Sequence, residues 1–114
     1  MKDVIYQSKQ LNAKIRQSNE YNHYVRSRKN LMQDENLYKA FNDFRRRNYE
    51  IQSRQGEENY YDDITDLVRD YDSILKTIKV NDFLVAEQRI CRLMQEIYSS
   101  ISDSLDFDYD FIDE

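Results

Sequence analysis

The residues able to do chemistry are few and scattered. The chain holds one histidine, His23, and one cysteine, Cys91. A tetrahedral zinc site needs four ligands, and a nucleophilic cysteine needs a base and an orienting group. One His and one Cys supply neither unless acids or water complete the set. His23, between Tyr21 and Tyr24, reads as a surface or half-buried helix residue. Cys91 reads as a small core residue of the last long helix, because free cysteine is commonly buried. A single glycine cannot build a phosphate-cradling loop.

Carboxylates are the remaining catalytic material. Glu58, Asp62, Asp66 and Asp70 stand at successive four-residue steps, stacked on one helix face. Like charges at that spacing cost a few tenths of a kcal/mol per pair unless something offsets them. A divalent ion could do so, but the Glu-x-x-His pair of di-iron bundles is absent. Arginines from a neighbouring helix are the simpler partners. No catalytic, cofactor-binding or metal-ligating set is assigned, and the residue inventory predicts a non-enzyme.

The arginines raise a second possibility. Arg26, Arg28, Arg45, Arg46 and Arg47 are candidate phosphate contacts, and Tyr21 and Tyr24 could stack on bases. Three consecutive helical positions, however, spread over about 200° of the helix circumference. The first half of the chain, residues 1–56, carries a net charge of +6, whereas residues 57–114 carry −11. That acidic half repels nucleic acid, so direct RNA contact is the alternative and contact with protein the main reading. The polarity either neutralises itself within the fold or presents opposite faces to partners.

One Gly and no Pro leave almost no breakers. Long helices joined by short polar connections follow. With 34% charged and 39% apolar residues, much of each helix must face water. The ten tyrosines suit half-buried positions where the ring packs and the hydroxyl stays wet. No apolar run approaches the roughly 20 residues that span a bilayer, and a lone cysteine fits a reducing compartment. Both point to a cytoplasmic protein.

Residues 3–17 form a first helix with Val4, Leu11 and Ile15 on one side. Ser18 and Asn19 make a cap or kink, and a second segment carries Tyr21, Tyr24, Val25 and Leu31. Asp34 opens the next helix, which places Leu37, Phe41, Phe44 and Ile51 inward and ends near Arg54. A fourth helix spans about 57–79. Asn81 caps the last, which runs to Ser104 with Phe83, Ile90, Met94, Ile97 and Ile101 in one stripe. Leu84, Cys91, Tyr98 and Leu105 form a second. Residues 1–104 thus make one domain. Residues 105–114, in which Leu105, Phe107, Tyr109 and Phe111 alternate with aspartates, make an acidic-aromatic tail. Phe107, Tyr109 and Phe111 either pack across the bundle or serve as a peptide for a partner.

Gly56 lies where a left-handed backbone is wanted. If the helices on either side fold back on one another, positions equidistant from Gly56 should face. Leu37 then meets Leu75, Phe41 meets Tyr71, Phe44 meets Val68, and Ile51 meets Tyr61. The same register sets Asp43 against Arg69, Arg46 against Asp66, and Arg54 against Glu58. Glu50 against Asp62 is its one like-charged match. The prediction is an all-α bundle of four to five helices with a central helical hairpin around Gly56, and a dimer. The two-striped last helix shares its side chains between core and dimer seam.

The order of these features resembles the YlbF/YmcA family of small helical regulatory proteins. The resemblance rests on Leu11 and Ile15, then Ser18-x-x-Tyr21-x-x-Tyr24, Leu31, Asp34, and the Leu37/Phe41/Phe44 helix. Asn81-Asp82-Phe83-x-x-Ala86-Glu87 follows, leading into the last amphipathic helix. It implies a non-enzymatic, all-helical protein forming homodimers or hetero-complexes with related helical proteins. It also implies an accessory role toward ribonuclease Y in RNA processing and developmental regulation. Some relatives carry cysteines associated with iron–sulfur clusters, but Cys91 alone cannot hold a cluster within one protomer. The acidic-aromatic tail has no counterpart in that pattern. A purely structural helical assembly protein is a further alternative.

Overall fold

The computed structural model describes residues 1–112; residues 113–114, the end of the predicted tail, lie outside the described residues. Among the described residues every regular element is helical. In chain order they are α1 (Lys2–Gln17), α2 (Asn19–Gln33), α3 (Glu35–Gln52), α4 (Tyr60–Asp70), α5 (Asp72–Leu75) and α6 (Ile78–Ser102). A single 3-10 turn, Asp110–Ile112, follows.

Two polar residues cut the first half of the chain into helices. Ser18 adopts an extended backbone, and its Oγ accepts the Tyr21 amide at 3.1 Å. Its own amide donates to the Ile15 carbonyl at 3.0 Å, so one residue ends α1 and starts α2. Asp34 repeats the device. Its carboxylate accepts from the Leu37 amide at 3.3 Å while its amide closes α2 on Leu31.

The hairpin around Gly56 is present, with three differences from its expected form. First, α3 ends at Gln52, so Gly56 is mid-loop rather than directly after the helix. Its φ of +97° is nonetheless the left-handed conformation expected of it. Second, the register drifts. Near the loop, Tyr60 Oη donates to Gln52 Oε1 at 2.6 Å, a pair equidistant from Gly56. Farther along, Tyr71 meets Phe44 (ring centroids 5.6 Å apart) rather than Phe41, and Val68 and Tyr61 are exposed. Two helices that cross at an angle cannot keep one register along their whole length.

Third, most ion pairs of the hairpin form within a single helix. Asp43 binds Arg46 and Arg47, each at 3.3 Å, and Arg69 binds Asp66 at 3.0 Å and Asp70 at 3.6 Å. Across the hairpin, Arg54 reaches Asp63 at 3.8 Å instead of Glu58. Residues three or four apart are already neighbours on a helix surface, so local pairs form without any demand on the register.

The expected fourth helix over 57–79 is broken. Tyr71 leaves helical geometry (φ −107°, ψ 14°), its hydroxyl donating to the Asp43 carboxylate. Thr77 is extended (φ −64°, ψ 147°), and its hydroxyl donates to the Ile74 carbonyl at 2.8 Å. The threonine bond to its own backbone offers an alternative to the helix. The last helix therefore starts at Ile78. Asn81 is not its cap but lies within its first turn, donating its amide to Thr77 at 2.9 Å.

The core is small and lies at one end. Leu31, Phe41, Val80 and Phe83 are fully buried, with Tyr24, Leu37, Tyr38, Phe44, Ile74, Leu75 and Leu84 packed around them. Phe83 meets Tyr24 at 5.4 Å and stands edge-on to Phe41 at 5.8 Å. From this node α1 and α2 run antiparallel to α6: Tyr24 lies by Phe83, Glu20 by Arg89, and Leu11 by Ile97 and Ile101. The outer part of this arm buries little, and α1 contains no buried residue. The molecule is accordingly flat, 49 × 43 × 17 Å, with a radius of gyration of 18.8 Å. A compact domain of about 100 residues would have about 13 Å.

Candidate interaction surface

The amphipathic α1 and the second half of α6 leave an apolar strip along the arm. On α1, Val4 is 71% exposed and continues the line of Leu11 and Ile15, whereas Ile5 and Tyr6, 48 and 60% exposed, lie on other sides of the helix. On α6, Leu93 and Ile97 line a shallow groove with Leu11, and Ile101 at its edge is 58% exposed. Of the predicted seam residues, Ile90, Met94 and Ile97 are half-buried along this helix, whereas Phe83 is in the core node. The adjoining stripe divides: Leu84 packs on the core, whereas Tyr98 and Leu105 are exposed, and so is Cys91, contrary to its expected burial. Val80 and Ala86 belong to the core without falling in either predicted stripe, the first because it precedes the expected cap, the second because alanine adds little to an apolar pattern.

A polar clamp holds the arm to its base. Nε2 of His23 is 2.9 Å from Asp82 Oδ1, and Arg89 donates to Nδ1 at 2.8 Å. Since a guanidinium can only donate, Nδ1 is the acceptor, and the neutral ring's proton is on Nε2, facing Asp82. Arg89 also lies 3.9 Å from Glu20. Before the antiparallel register of α2 and α6 is known, nothing in the sequence links His23 with Asp82. The clamp positions helices and offers no nucleophile.

The five arginines do not converge. Arg45 turns inward, its guanidinium 4.7 Å above the Phe41 ring and 5.6 Å from that of Phe83, and bonds Asn42. Arg46 and Arg47 are held by Asp43, with Arg47 also 5.7 Å over Tyr71. Arg26 and Arg28 are exposed on α2. Two phenols register this setting. The Asn42 hydrogen bond, helped by the charges of Arg28 and Arg45, lowers the pKa of Tyr38. Hydrogen bonding to Asp43 raises that of Tyr71.

The acidic face also fails to gather. Asp66 and Asp70 bind Arg69 on their own helix, and among the described residues no three His, Cys, Asp or Glu side chains could share a metal ion. Phe107, Tyr109 and Phe111 of the acidic-aromatic segment are 65, 59 and 73% exposed. No described helix is long and apolar enough to cross a membrane.

The chain is similar to a UPF0342 protein of Caldicellulosiruptor bescii, 25% identical over 92% of this chain and 87% of the relative. It is also similar to one of Symbiobacterium thermophilum, 27% identical over 85% of this chain and 88% of the relative. No solved structure gives a significant match. The family model described as "Control of competence regulator ComK, YlbF/YmcA" matches residues 4–106, spanning every helix from α1 to α6. The chain therefore belongs to the YlbF/YmcA family of competence regulators.

Proposed function

We propose that this chain is a cytoplasmic, non-catalytic regulatory adaptor, working through the apolar strip of α1 and the second half of α6. One observation carries the reading: α1 is 16 residues long and buries none of them. Most helical stability in proteins comes from packing an amphipathic face rather than from propensity. The apolar face of α1 gains that packing when a second chain covers it. The related surface on Ile90, Met94, Ile97 and Ile101 makes the cover continuous, and a second copy or a related helical protein supplies a matching strip. The dispersal of the arginines favours protein over RNA as the partner. Modulation of ribonuclease Y, which the family resemblance implies, is then an activity of the assembled form.

The test is the mass of the full chain in solution, compared with that of Ile97→Asp. A charge on the strip should give a smaller species that keeps its helical circular dichroism. A folded variant of unchanged mass removes the strip from the interface.

A further inference from the structure

The acidic-aromatic segment has an opposite number on the same molecule. On α2, Tyr21, Tyr24, Val25, Arg28, Lys29 and Met32 line an open groove of about 660 Å³. Val25 and Met32, apolar as they are, are 44 and 40% exposed there. The groove thus combines aromatic, aliphatic and cationic surface. Segment 105–112 alternates Leu105, Phe107, Tyr109 and Phe111 with Asp106, Asp108 and Asp110, and its large apolar side chains are all exposed. Charge and apolar content are complementary in type. We propose that segment 105–112 of one copy seats in the α2 groove of a second copy, with its aspartates on Arg28 and Lys29.

The proposal rests on the α1/α6 strip joining two copies. If the outer halves of two α6 helices pair antiparallel about Glu96, residues just past Ser102 of one copy come beside the partner's Arg89. Arg89 lies against Glu20 and His23 at the start of α2. The segment then leaves its helix where the groove begins and travels in the direction the groove runs. From Tyr21 to Met32 the helix rises about 17 Å. Eight extended residues reach roughly 26 Å, enough to cover it even with a final turn. Within a single chain the segment is open to solvent and its own groove is unfilled, so the chain does not close on itself. Arg28 also acts electrostatically on the Tyr38 phenol, so carboxylates entering beside it meet a positive field.

The experiment places benzoylphenylalanine at Tyr109 of the full chain and irradiates it, with light scattering on the same sample. The expected product has the mass of two chains, with the crosslink mapped to residues 21–33. It should fall to background in Arg28→Glu/Lys29→Glu that retains wild-type circular dichroism, and weaken in 1 M salt, where the screening length is only about 3 Å. A dimer whose crosslinks fall within one chain, or on another surface, overturns the proposal while leaving the strip intact. If scattering reads a monomer, the strip fails. A synthetic peptide of residues 103–114 then decides the groove: capture that depends on Arg28 and Lys29 sustains the segment–groove pairing, and no capture ends it.

Discussion

Replacing Phe83 by alanine strikes the core node that joins α2, α3 and α6. The ring is 1% exposed, packs on Tyr24 and Phe41, and lies under the Arg45 guanidinium. Emptying a buried phenylalanine site costs about 3–5 kcal/mol through lost transfer energy and the cavity left behind. Two aromatic pairs, each worth about 0.5–1.5 kcal/mol beyond area, and a cation–π contact of about 0.5–1 kcal/mol place it toward the upper end. Among the described residues only seven apolar side chains are buried outright, so neighbouring side chains have little reserve with which to refill the site. Stability of an ordinary domain is about 5–15 kcal/mol, making this loss a large fraction of the total. With a urea slope of about 2 kcal/mol/M, the midpoint should fall by about 2 M. The assay is urea unfolding followed by circular dichroism at one fixed protein concentration, because assembly also contributes to apparent stability. Tyr49→Ala, on the outer face of α3 and 77% exposed, serves as the control and should change stability by no more than about 0.5 kcal/mol. A loss below about 1 kcal/mol for Phe83→Ala would refute the assignment of Phe83 to the protomer core.

Three further outcomes follow from particular contacts. Ser18→Ala removes the acceptor for the Tyr21 amide and should cost about 1 kcal/mol in urea unfolding. Gly56→Ala meets no atom within 4 Å, so its cost, about 1–2 kcal/mol on the same assay, is that of a left-handed alanine alone. Tyr71 has a pKa raised above the ordinary 10.0 by its bond to Asp43, so folding favours the neutral phenol. Its contribution is complete below the unfolded pKa and lost as pH rises through the folded one. The stability gap between wild type and Tyr71→Phe should therefore be constant near neutrality and shrink in alkaline solution.

Much of the helical layout was legible because it is written in local chemistry. Ser18 and Asp34 cap helices with their own side chains, and Gly56 takes the positive φ that other residues avoid. The break at Tyr71 and the turn at Thr77 were not, because no glycine or proline marks them. They coincide with a phenol reaching Asp43, 28 positions away, and with a threonine bonding its own backbone. Cys91 followed a general tendency of free cysteine to be buried, but falls on the outer side of α6. The His23–Asp82–Arg89 clamp requires the register between two helices, which a single sequence does not state. The candidate surface was half legible: Ile97 and Ile101 were singled out, whereas the share of α1 emerges only from its lack of burial.

Sedimentation of the full 14.0 kDa chain across a wide concentration range, alongside Ile97→Asp, tests the central claim most directly. The account predicts a dimer or larger assembly for the wild type and a helical monomer for the variant. A wild-type monomer at every concentration, retaining a fully helical α1, would contradict it.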